Sequence, residues 1–240
     1  TDLKRLAELP EPAYITRQFS SYDRAAKSPK ENWFANGDAG NFLRVEKSNG
    51  RDEYVMADTD GPGAIVRIWS ANPTGTVRIY LDGNTAPAIE APLKDLLGGA
   101  VAGLPKPIAG VRARGANLYF PIPYARHCKV TNDQGGFYYH VNYRTYAAGT
   151  AVKTFERGDL KLLSGRINEL AELLSRPARV TNRDRQEKSA RLPLEVKPGQ
   201  EKVITIAGPR AITNIYLQWG ALHEPAAAGR LDGDEVVGRI

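Results

Sequence analysis

A chain of 240 residues with 42% apolar and 25% charged side chains has the composition of one large or two smaller globular domains, not of a disordered segment. Its net charge of +6 is spread among nearly as many acids, and the densest basic stretch, Arg176–Arg191, is broken by Asp184 and Glu187, which excludes a nucleic-acid patch and reads as a solvated linker. The single cysteine, Cys128, excludes an internal disulfide, zinc spacings are absent, and no apolar run reaches membrane-spanning length.

In chain order, Leu3–Leu9 reads as a short helix stopped by Pro10 and Pro12, and Ala13–Ser20 as a strand. Ser21–Asn41 is a long polar loop that still holds Tyr22, Trp33 and Phe34, and bulky aromatics on a loop argue against disorder. Phe42–Val45, Tyr54–Ala57, Ala64–Ala71 and Thr76–Leu81 alternate apolar and polar residues between Gly- and Pro-rich turns and predict strands. Pro92–Gly110 reads as an irregular crossover. Tyr119–Pro121, Cys128–Thr131, Phe137–Arg144 and Ala151–Phe155 predict further strands, with Cys128 as a small buried hydrophobe. Asp159–Ser175 carries Leu160, Leu163, Ile167, Leu170 and Leu174 at helical spacing, with Asp159 as N-cap and Pro177 as stop. That helix is expected to cover a sheet, with part of its stripe at a subunit contact. Leu192–Val196, Glu201–Ala207 and Ala211–Trp219 predict a second run of strands.

Gly61–Trp69, GPGAIVRIW, recurs as Gly208–Tyr216, GPRAITNIY. Behind the first stands Leu81-Asp82-Gly83-Asn84, and behind the second Leu231-Asp232-Gly233-Asp234. An internal repeat of this kind implies two similar modules. The expected architecture is all-β: a jelly-roll sandwich over residues 1–155, a linking helix and linker over 156–191, and the start of a second, truncated jelly roll over 192–240.

No G-x-S-x-G, P-loop or G-x-G-x-x-G signature is present, so neither a serine nucleophile nor a bound cofactor or metal is expected. His127, His140 and His223 are widely spaced, and His140 reads as a core or cross-strand residue. What remains suits carbohydrate: planar aromatics for the C–H face of a ring, carboxylates and guanidinium groups for its hydroxyls. Tyr22, Asp23, Arg24, Trp33 and Asp38 supply such a set on one loop. Glycoside hydrolysis needs two carboxyl groups about one bond, one held protonated and one ionised. Asp38, Asp58, Asp60, Asp82, Glu90, Glu224, Asp232, Asp234 and Glu235 lie near predicted strand ends, and sequence alone does not pair them.

Ser20–Arg24 (SSYDR), Asn36–Arg44 (NGDAGNFLR), Ala57–Trp69 (ADTDGPGAIVRIW), Arg78–Gly83 (RIYLDG), Tyr119–Tyr124 (YFPIPY) and Tyr138–Arg144 (YYHVNYR) together resemble glycoside hydrolase family 172, well over residues 14–155 and weakly over 203–237. The resemblance implies two jelly rolls in one chain. It implies trimers, or hexamers built from trimers, with sites near subunit boundaries. It further implies retaining, metal-independent hydrolysis of α-D-fructofuranosides or α-D-arabinofuranosides by a glutamate pair in the second jelly roll. Glu224 and Glu235 are the candidates for one member of that pair, and Tyr22, Asp23, Arg24, Trp33 and Asp38 for the rim of the sugar site. The alternative is a non-catalytic carbohydrate-binding or assembly subunit. A secreted or periplasmic location, and no nucleic-acid or membrane partner, complete the expectation.

Overall fold

The computed structural model describes residues 9–48, 50–176, 195–197 and 199–208. The chain divides into two compact units, one spanning Pro10–Thr181 with Thr1, the other Asp2–Leu9 with Asn182–Ile240.

The first unit is a sandwich of two antiparallel sheets. One holds β1 (Tyr14–Ser20), β11 (His140–Tyr146), β4 (Gly63–Ser70), β8 (Gly115–Leu118) and β7 (Ala109–Arg112) in that order, with β9 (Ile122–Tyr124) also on β4. The other runs β2 (Arg44–Ser48), β3 (Arg51–Asp60), β10 (His127–Asn132), β5 (Thr76–Leu81) and β6 (Ile89–Pro92). Neighbours distant in sequence, such as β1 with β11 and β3 with β10, force crossovers between the sheets. Strand alternation turns Val77, Ile79, Leu81, Cys128 and Val130 inward, where they meet Ile65, Ile68 and Val141 of the facing sheet in one core. Cys128 is 1% exposed, and burial pushes its thiol far above the usual range, so it packs as a hydrophobe.

Several expected elements differ. Pro92–Gly110 is not structureless: Leu93–Gly98 forms helix α1, whose Leu93, Leu96 and Leu97 are fully buried, closed by Gly99 at a left-handed φ of 79°. β6, β7 and β8 carry strands the pattern did not predict. Tyr119–Pro121 is instead the joint between β8 and β9, because Tyr119 N–H bonds to Ile108 and Pro121 has no N–H to give a ladder. Phe137–Tyr139 pairs with the Ser21–Asn41 loop, so β11 starts only at His140. Phe42 turns into the core against Phe137 and Tyr139, which moves β2 to Arg44–Ser48. Ala151–Phe155 is a strap with no strand ladder: Phe155 N–H bonds to Pro123 at 2.9 Å, and its ring packs on Phe120.

The expected long helix breaks at Leu163 into α2 (Asp159–Leu162) and α3 (Ser164–Ser175), with Gly158 in the cap position and Asp159 one place inside. Ile167 and Ala171 are buried, and Leu160 and Leu170 pack on the sandwich core. Leu163 and Leu174 are 46% and 43% exposed, so the stripe covers its own sandwich through its middle only. Glu201–Ala207 forms no strand; a strand exists only as part of a ladder, and no partner pairs with it among the described residues. The helix expected over Leu3–Leu9, apart from Leu9, the first three residues of the strand expected over Leu192–Val196, and the strand expected over Ala211–Trp219 lie outside the described residues, and Glu195 and Val196 form no strand.

Candidate functional site

The Ser21–Asn41 loop is closed at both ends on Phe137–Tyr139. Ser21 N–H bonds to the Tyr139 carbonyl and Tyr139 N–H to Ser21 Oγ, each at 3.1 Å, while Gly40 N–H reaches the Phe137 carbonyl at 3.2 Å. Asn41 Nδ2 donates to the carbonyls of Ser21 and Gly37, tying the two limbs together. Inside that frame Asp23 accepts from Ala25 N–H (2.9 Å) and Gly37 N–H (2.9 Å), and Asp38 accepts from Asp23 N–H (2.8 Å). The backbone donors hold the Asp23 carboxyl below its usual range. Arg24 donates to the carbonyls of Tyr22 and Ser20 and stacks 4.9 Å from the Tyr22 ring centroid.

Four of the five expected rim residues are therefore brought together: Tyr22, Asp23, Arg24 and Asp38. Asp23 and Arg24 spend their polar groups on shaping the loop. Tyr22 and Trp33 are 53% and 55% exposed, and beside them Phe34 is 91% exposed. Glu224 and Glu235 lie outside the described residues.

The loop leads through Ser20 onto the outer face of the six-stranded sheet. Register places Ser20 opposite His140 and His140 opposite Trp69, and the imidazole lies 4.6 Å from the indole, inclined by 34°. Burial and the neighbouring Arg67 push His140 below its usual pKa against the opposing pull of Asp38, which keeps the ring neutral at pH 7. One level along the strands, Gln18, Asn142, Arg67 and Asn117 form a hydrogen-bonded row across β1, β11, β4 and β8. Asn142 donates to Gln18 (2.9 Å), Arg67 donates to Asn142 (3.4 Å) and twice to Asn117 (3.1 and 2.9 Å), and the Tyr119 hydroxyl adds a bond to Asn117 (3.2 Å).

Sequence reasoning did not single out Arg67, Trp69, Asn117, Tyr119 or Asn142. The signal was present: in Arg67-Ile-Trp69 and His140-Val-Asn142-Tyr-Arg144 the polar and aromatic residues occupy alternate positions, hence one face.

The opposite sheet's outer face holds a concavity of about 390 Å³, lined by Glu46, Glu53, Tyr80, His127 and Lys129. Its acids are answered one by one. Glu46 bonds Lys129 (2.9 Å) and Arg44 (2.6 Å), Asp58 bonds Arg44 and His127, and Glu53 bonds Arg51 (2.6 Å), Arg78 (3.2 Å) and Thr131. Lys129, with Arg44, holds Glu46 below the usual carboxylate range. Burial pushes Asp58 up, but bonds from Arg44 and His127 outweigh it and leave it lowered. Asp23, Asp82, Asp133 and Asp159 are displaced in the same direction. A general acid for glycoside cleavage needs the opposite displacement. Among the described residues no cluster of His, Cys, Asp and Glu is arranged to hold a metal ion.

Comparison with known proteins agrees with this architecture. The family model described as the GH172 first beta-sandwich domain matches residues 12–162. No curated protein matches the chain.

Proposed function

The chain belongs to glycoside hydrolase family 172, and from that membership we propose that it serves the retaining hydrolysis of α-furanosidic sugars, α-D-fructofuranosides or α-D-arabinofuranosides. Membership itself gives a glycoside-hydrolase-related role; the furanoside, the carbohydrate partner and the assembly are the further steps proposed. The observation that carries the reading is the match over the whole sandwich, together with a rim loop that offers Tyr22 and Trp33 beside an amide- and arginine-lined sheet face.

In this reading the sandwich binds and orients. Aromatic rings take the apolar face of the sugar, and the fixed amide row takes its hydroxyls. The two carboxyl groups of a double displacement belong to the second module: one attacks the anomeric carbon, the other protonates the leaving oxygen and then activates water. Glu224 and Glu235 are proposed for one half of that pair. The downward-displaced carboxyls of the sandwich support assigning the acid elsewhere. A homotrimer, or a hexamer built from two trimers, completes the proposal, with Trp33 and Phe34 near a neighbouring subunit.

The test is a screen of the full-length protein against aryl α-furanosides, with the anomeric configuration of the first product followed by NMR. Release with retention is the expected result. Tight sugar binding with no turnover favours a carbohydrate-binding subunit instead.

A further inference from the structure

Charge is divided unequally between the two sheets. The strands of the five-stranded sheet carry Glu46, Asp52, Glu53, Asp58, Asp60 and Glu90, and all of these but Asp60 are paired with basic neighbours among the described residues. The strands of the six-stranded sheet contain no Asp or Glu at all, yet carry Arg17, Arg67, Arg112 and Arg144. Among the described residues no carboxylate lies within salt-bridge distance of any of these four.

Arg67 is the best placed of them. It is half-buried at the centre of the sheet, where removing a cation from water is costly without a counter-charge. A guanidinium has five N–H groups. Nε and Nη2 donate to Asn117 and Nη1 to Asn142, which leaves one N–H on each terminal nitrogen. Two parallel N–H groups on one plane are the fork that takes a carboxylate bidentately. Asn117 is itself 3% exposed and donates to the Gly115 carbonyl at 2.9 Å, so the fork is held by groups that cannot turn away. On the same face, Arg144 lies 4.1 Å over the Tyr14 ring with its Nε buried and unbonded, and Arg112 shares the register of Gly115.

We infer that the outer face of the six-stranded sheet, centred on Arg67, binds a saccharide bearing a carboxylate, a uronate-type ring whose charge meets the Arg67 fork while its ring lies against Trp69 and Tyr119. This deepens the carbohydrate reading above and rests on it. The shared chemistry is that of an oxyanion. A carboxylated sugar is favoured over bare phosphate because the donors are side-chain amides and a guanidinium beside aromatic rings.

The full-length protein is titrated calorimetrically with a methyl hexofuranosiduronate, and with the methyl hexofuranoside that differs only in carrying CH₂OH in place of the carboxylate. The uronate is expected to bind about tenfold or more tighter at low salt, the scale of one charge-assisted bidentate pair. That preference should shrink in high salt, and the ratio of the two affinities should fall to near unity in Arg67→Gln. Arg67→Lys keeps the charge without the fork and should recover only part of the preference. Because Arg67 helps tie four strands, melting curves accompany both variants, and the wild-type preference alone decides the matter if either fails to fold.

Equal affinity of the two glycosides overturns the inference and leaves the neutral-furanoside reading standing. Failure of both sugars to bind overturns both. Inorganic phosphate binding as tightly as the uronate shows a bare oxyanion site and overturns the sugar assignment. Salt-sensitive self-association lost in Arg67→Gln, with no sugar preference, makes the face a subunit contact and likewise overturns it.

Discussion

A β-carbon added to Gly115 would stand 2.2 Å from Nε1 of Trp69. The indole edge therefore occupies the space that any other residue at 115 would need, and Trp69 reaches across β8 only because position 115 is glycine. The same indole packs against His140 on its other flank.

Gly115→Ala should displace Trp69 and break its contact with His140, costing about 1–3 kcal/mol as an overpacking change. Tryptophan fluorescence should shift, and the melting temperature should fall. A useful contrast is Gly165→Ala in α3, where nothing lies within 4 Å of the added carbon. That variant should gain about 0.4–1 kcal/mol. Unchanged fluorescence in Gly115→Ala would show that the indole has another position of equal energy.

The rim loop gives a second prediction. Trp33 is 55% exposed and forms no aromatic pair among the described residues, so its removal should leave the melting temperature within error. Trp33→Ala should weaken furanoside binding by about 1–3 kcal/mol on the scale of aromatic stacking. Lost stability with unchanged binding would make Trp33 a packing residue.

Asp82 carries the third. The repeated Leu-Asp-Gly element reads in sequence as a hairpin turn, and Asp82 does adopt a left-handed φ of 55°. Its carboxylate is also a hub: it accepts from Arg126 N–H (2.7 Å), His127 N–H (3.1 Å) and the Thr154 hydroxyl, and so fastens the Ala151–Phe155 strap to the sandwich. Burial pushes its pKa up, but these donors outweigh burial and hold it below the ordinary 3.8. A carboxyl depressed in the folded state stabilises above its unfolded pKa and loses that contribution as pH falls through the folded value. Asp82→Asn should therefore cost about 1–3 kcal/mol at pH 7. The gap to the wild type should begin to narrow as pH falls below about 4, the unfolded value, and close further as pH falls through the lower folded value. Parallel melting curves from pH 7 to pH 3 check this, and a constant gap would contradict it.

Much of this fold was legible because its signals are local. Thr76–Leu81 shows the alternation of a half-buried strand and is one. The β7–β8 hairpin stayed hidden because its turn uses Ala113 and Arg114, at φ of 47° and 66°, where Asn-Gly would have announced it. The rim loop was legible from its aromatic residues. The Arg67–Trp69–His140 face was not, because it exists only when β4 and β11, far apart in sequence, pair in register. The roles of Asp23 and Arg24 were equally invisible, since their partners are backbone groups brought close by loop closure.

The last prediction concerns Glu53 and Arg78 on the five-stranded sheet. They are 1% and 5% exposed, joined at 3.2 Å, and sit on adjacent ladders through β10. Two buried ions cost desolvation, and their attraction returns it only while both are present. Arg78→Met leaves the Glu53 carboxylate with Arg51 and Thr131 alone and should cost about 3–5 kcal/mol. Glu53→Leu leaves Arg78 with Glu90 and Asp133, at 2.8 and 3.4 Å. Those acids stand nearer solvent, at 48% and 26% side-chain exposure, so this change should cost less. The double variant Glu53→Leu/Arg78→Met removes both charges and should be more stable than Arg78→Met alone. Denaturant unfolding of the four proteins gives the coupling directly. Additive losses would mean that Glu53 is held by Arg51 and Thr131, with Arg78 serving the outer acids only.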